Sequence, residues 1–144
     1  MVGAYRSLGG AAPTVSDSGI LLSSLHAQLR RSLDALSAQL DATGEQSEES
    51  DAAGEGRKVS AAVQQTLDRL PPAAELAVAA GAARTLIAAA AEDCAWAWRM
   101  IQAPATSPAL VAAARVLADH ATGCCERAGA LLNTPLSGEP GDGA

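Results

Sequence analysis

The stretch LLSSLHAQLRRSLDALSAQLD, residues 21–41, decides the fold. Leu22, Leu25, Leu29, Leu33, Leu36 and Leu40 recur at intervals of 3, 4, 4, 3 and 4, a mean of 3.6. That is the period of an α-helix laying one apolar stripe on a core. Ser16-Asp17-Ser18 offers side-chain oxygens to the unpaired N–H groups of a first turn, so the pattern predicts a helix over about 16–42.

The same period returns downstream. Val59, Val63, Leu67 and Leu70 share one face and predict a second helix over about 57–70. Pro71-Pro72 ends it, because the residue before a proline is pushed out of the α region. Pro72 suits the first turn of a third helix, predicted over 72–102, with the seam Leu76, Ala80, Ala83, Ile87, Ala90, Cys94, Ala97 and Ile101. A fourth helix over 107–133, capped by Thr106 or Ser107, carries Leu110, Ala114, Leu117, Ala121, Cys124, Ala128 and Leu131. No stretch alternates with the period of two that a strand requires. Four amphipathic segments with short connections predict an all-α antiparallel four-helix bundle over 16–134.

The flanking segments read differently. Residues 1–15 are Gly-rich, contain Pro13, and are expected to be extended. Residues 43–56 are expected to form a disordered acidic loop, and 135–144 a flexible tail.

Composition agrees with a helical core. Of 144 residues 49% are hydrophobic but 2% aromatic, so the apolar mass is Ala and Leu, which form helices readily and let their axes approach closely. The net charge of −6 is concentrated: Asp41, Glu45, Glu48, Glu49, Asp51 and Glu55 stand together with no base among them, leaving ten acids against ten bases elsewhere. Arg30-Arg31 and Arg57-Lys58 are too short to neutralise a phosphate backbone, so nucleic acid is not an expected partner. The Ala-rich run 73–91 includes Glu75 and Arg84 and is too weakly apolar to insert in a membrane. Three cysteines, two of them adjacent, make no disulfide framework. Met1–Ala12 lacks a basic start followed by an apolar stretch, so the expected location is the reducing cytoplasm.

Candidate chemistry is sparse. His120 and Cys124 have the i, i+4 spacing of metal ligands, and Cys94 lies on a neighbouring seam, but no fourth ligand is evident, so no metal or other cofactor is expected. The same Cys–His pair would suit nucleophilic catalysis, yet a packed helix supplies no oxyanion hole, so no enzymatic activity is expected. Trp96 and Trp98 are two apart and project roughly 200° from each other on a helix. Trp98 belongs with the Cys94–Ile101 stripe; Trp96 faces outward beside Glu92, Arg99 and Met100, where either a partner or another chain segment covers it. Exposed Trp with Arg and Met neighbours has the composition of an interface.

The order of Ala4-Tyr5, Gly9, Val15, Leu21 with Leu25, then Gly56-Arg57-Lys58-Val59 through Leu67, then Glu75-Leu76 opening a long helix, resembles the flagellar export chaperone (FliS) family. The resemblance spans nearly the whole chain. It departs from the family at Leu25-His26-Ala27-Gln28, where a Leu-Tyr/Phe-Asp-Gly is usual, and in the third helix, where Ala replaces an aromatic pair. The resemblance implies a non-enzymatic cytosolic chaperone that binds the C-terminal helical segment of flagellin, prevents its premature polymerisation and aids its secretion. It places Tyr5 over part of a groove lined by Leu21, Leu25 and Leu29; Trp96, Arg99 and Met100 complete the expected partner-binding residues. The alternatives are a self-associating adaptor that uses Trp96 in a homodimer, and a bundle holding a metal or small ligand near Cys94, His120 and Cys124.

Overall fold

The computed structural model of the chain describes residues 15–42, 51–102 and 107–133. Four helices occupy them: α1 (Val15–Ala42), α2 (Asp51–Arg69), α3 (Val78–Gln102) and α4 (Pro108–Leu132), with a 3₁₀ turn at Ala73–Glu75 ahead of α3. No strand occurs among the described residues, as the all-α reading expects. The segments expected to be extended or disordered, 1–14, 43–50 and 135–144, lie outside the described residues, and Tyr5 with them.

Opposite ends meet across each pair. Near the start of α1, His26 Nε2 bonds the Cys125 carbonyl late in α4 at 2.9 Å, while Asp41 at the other end of α1 meets Arg115 early in α4 at 3.2 Å. On α2 and α3, Arg57 stacks on Trp98, and Arg84 reaches the far end of α2. The helices are therefore antiparallel neighbours in the order α1–α2–α3–α4, with α4 closing on α1 and a diagonal contact between α1 and α3.

All six stripe leucines of α1 are buried. In α2 the buried stripe runs Ala53, Gly56, Ser60, Val63, Leu67, Leu70, and the helix starts at Asp51, not near residue 57. The part of the expected acidic loop from Asp51 to Gly56 is therefore helix. Gly56 is there for its lack of a side chain: a Cβ would sit 2.8 Å from Ala35 Cβ and 2.9 Å from the Trp98 ring. It permits α1, α2 and α3 to converge.

The third helix is also corrected, beginning at Val78 and not at residue 72. Pro72 opens the 3₁₀ turn, and Leu76 is extended (φ −105°, ψ 165°), which interrupts the helix and leaves Leu76 buried. The chain folds back so closely that a Cβ on Gly81 would lie 2.6 Å from the Ala73 carbonyl oxygen. Arg84 fixes this corner, donating to the carbonyls of Pro71 (2.7 Å), Leu67 (2.8 Å) and Leu70 (3.4 Å). A cation on the carbonyls at the end of α2 also opposes the negative pole of its dipole.

The start of α4 is capped by Ser107, whose Oγ accepts from the Leu110 N–H at 3.2 Å, with Pro108 in the first turn. Its buried residues are Ala114, Ala118, Ala121, Cys124, Cys125, Ala128 and Gly129, while Leu110, Leu117 and Leu131 are half-buried. The stripe thus turns from the leucines towards the small residues, because those let α4 lie close against α3, the most extensive helix contact in the molecule.

Candidate functional site

Among sequence-adjacent helices, α2 and α3 touch least, and a cleft of about 200 Å³ opens between them. From α2 come Arg57, Ser60, Ala61 and Gln64, residues at i, i+3, i+4 and i+7 and hence on one helical face. From α3 come Ala95, Trp98 and Arg99.

Trp98 closes the floor. It is 2% exposed, and its Nε1–H donates to Ser32 Oγ at 3.1 Å. Ser32 donates in turn to the Gly56 carbonyl at 2.7 Å and lies 3.5 Å from Cys94 Sγ. One buried hydroxyl so ties α1, α2 and α3 together beneath the cleft. Burial pushes the Cys94 thiol up, against the opposing hydrogen bonding of Ser32, Ser60 and Trp98 to its thiolate. A thiol in that state is a packing group and not a nucleophile.

Both lining arginines make cation–π contacts. The Arg57 guanidinium carbon lies 5.1 Å from the Trp98 ring centroid, and that of Arg99 lies 4.8 Å from the Trp96 ring. Trp96 is 49% exposed, so no other described segment buries it. Met100 is half-buried against the core.

The remaining expected site residues are placed elsewhere. Leu25 and Leu29, at 2% and 0% exposure, belong to the core, and Leu21 packs partly buried against it. At Leu25 and Leu29 the groove that the resemblance implies is occupied by the chain's own helices, whereas Leu21 stays half-exposed. Arg57, Ser60 and Gln64 were missed: they flank the Val59–Val63–Leu67 stripe at helical spacing, and that spacing was the signal available.

Cys94, His120 and Cys124 do not come together as one cluster. Cys94 belongs to the Ser32 network, and among the described residues no group of three His, Cys, Asp or Glu side chains is arranged to hold a metal ion. His120 instead joins α3 to α4, its Nδ1 2.5 Å from Asp93 Oδ2, with Cys124 Sγ 3.9 Å from its Nε2. Nucleophile, base and orienting carboxylate stand in the order of a catalytic triad. The Cys124 residue is only 3% exposed, however, and the row serves to pin two helices.

Among the described residues no helix is long and apolar enough to cross a membrane. Compared with protein-family models, with curated proteins and with solved structures, the chain matches none.

Proposed function

We propose that this bundle is a non-enzymatic protein-binding module whose docking surface is the α2–α3 face. The reading rests on one observation: a half-exposed Trp96 is stacked by Arg99, a residue that also lines an open interhelical cleft. Large aromatics and arginines carry most of the energy of protein interfaces, and stacking holds the guanidinium ready for a partner at little further entropic cost. The client suggested by the resemblance is the C-terminal helical segment of flagellin, held in the cytoplasm as an export chaperone holds it. A helix of that kind can lie along the α2–α3 seam and pack an apolar side chain on Trp96.

Light scattering of the purified full chain, alone and with flagellin, tests this. A monomer that forms a 1:1 complex, weakened at least about tenfold by Trp96→Ala, supports it; tenfold corresponds to about 1.4 kcal/mol, modest for an interface Trp. A tight homodimer that ignores flagellin and is broken by Trp96→Ala assigns the same surface to self-association.

A further inference from the structure

Helix α4 packs on α3 and α1 and turns a third face to solvent. Along that face, at helical spacing, run Val116, Asp119, His120, Gly123, Glu126 and Arg127, with Val116 66% exposed.

Gly123 is the anomaly. Glycine inside a helix is less stable than alanine, because it loses more backbone freedom on folding. Three other helical glycines have a steric reason within the chain. An added Cβ would strike Ala35 and Trp98 at Gly56, Ala73 at Gly81 and His26 at Gly129. At Gly123 it would meet nothing within 4 Å; Gly19 is equally open but lies in the first turns of α1, whereas Gly123 is inside α4. Nothing within the described chain asks for the missing side chain at Gly123. A backbone approaching closely from outside does.

The charges around Gly123 identify what approaches. Asp119 stands four residues before it and Arg127 four after; His120 stands three before and Glu126 three after. A two-fold axis through Gly123 makes the face its own complement. Arg127 of one copy then falls opposite Asp119 of the other, Glu126 opposite His120, and Val116 opposite Ala130, each pairing occurring twice. Glu126 and Arg127 have no opposite charge three or four residues away on α4, and Arg115, four before Asp119, is engaged by Asp41.

We propose that two copies of this chain associate through the outer faces of α4, antiparallel and crossing at Gly123, with Arg127–Asp119 pairs on both sides of the crossing. One face of a 25-residue helix is about 37 Å long and about 10 Å wide. The pair therefore buries roughly 700 Å² in total, below the ~1,200 Å² of stable complexes, which makes it a weak, concentration-dependent contact. It leaves the α2–α3 face open and does not depend on any client.

Sedimentation equilibrium of the full chain, from about 10 μM to about 1 mM, brackets an association of that strength. The parent chain should move from monomer towards dimer across this range. Arg127→Glu and Asp119→Arg each set like charges together at two places, and each should weaken the association at least about tenfold. Both positions are exposed, so the fold is kept, which circular dichroism checks. Mixed in equal amounts, the two variants should pair with one another, because each native charge and each introduced charge then meets its opposite. Gly123→Leu, which wedges the crossing, should weaken the parent association to a similar degree. A chain still monomeric at the highest concentration overturns the pairing, and so does a mixture no more associated than either variant alone. An association indifferent to the charge reversals, whether or not Trp96→Ala removes it, lies elsewhere on the molecule and overturns it as well.

Discussion

The two long seams of α3 are built on opposite plans. Against α4, the partner's buried residues are Ala, Cys and Gly, and the two helices make the broadest contact in the molecule. Against α2, the contact is thin and depends on discrete polar ties: Ser32 to Gly56 and Trp98, and Arg84 to the end of α2. Small side chains fill a seam by bringing backbones together, so no space is left. Polar ties hold two helices at chosen points and leave a gap between them. The lesson is that a gap between helices opens where packing is sparsest, while the small-residue seam gives the frame rigidity.

Overfilling each seam is the sharpest way to break this contrast. Ala121→Leu adds three carbons to a fully buried position on α4 and should cost about 3 kcal/mol, at the upper end of typical overpacking penalties. Ala61→Leu adds the same carbons beside the cleft, at an exposed position, and should stay within about 0.5 kcal/mol. Urea denaturation of both variants measures the pair. Equal losses would mean that the α2–α3 gap is as tightly filled as the α3–α4 seam.

The polar ties come next. Ser32→Ala removes the acceptor of the buried Trp98 N–H and one donor to Gly56, and should destabilise by about 2 kcal/mol, the usual cost of a buried group left unpaired. Arg84→Met keeps most of the aliphatic stem but withdraws all three carbonyl bonds. Because Arg84 is only partly buried, water can replace it at those carbonyls, so the loss should be smaller, about 1–2 kcal/mol. Hydrogen exchange should locate that loss at the C-terminal turn of α2; a change spread evenly over all four helices would deny Arg84 its capping role.

These ties mark where the sequence was legible and where it was not. Six leucines at helical spacing suffice to read α1, because each is large, apolar and buried. Half the stripe of α2 is Ala53, Gly56 and Ser60, which carry no apolar signal, and the two glycines at 54 and 56 look like loop punctuation. The place of Gly56 in the helix makes sense only once Ala35 and Trp98, distant in sequence, are packed against it. Of the site, the outward turn of Trp96 beside Arg99 follows from a two-residue offset and was visible. Arg57, Ser60 and Gln64 gain meaning only when α3 is set opposite them, and Asp93 only when His120 is.

The smallest effect sharpens the comparison from the closed side. Burial pushes the Cys125 thiol up from its ordinary 9.0 to about 11, with nearby Arg30 pulling the other way. In the unfolded chain the thiol ionises as pH passes 9, whereas in the folded chain it holds its proton to about 11. Between those values the unfolded state binds fewer protons, so stability must fall as pH rises. Below pH 9 both states are protonated and the group contributes nothing. Under reducing conditions the melting temperature should drop from pH 8.5 to 10.5, and by less in Cys125→Ala than in the parent chain. An identical drop in both would show that solvent reaches Cys125 when the thiol ionises, and that the small-residue frame around it opens more readily than its packing implies.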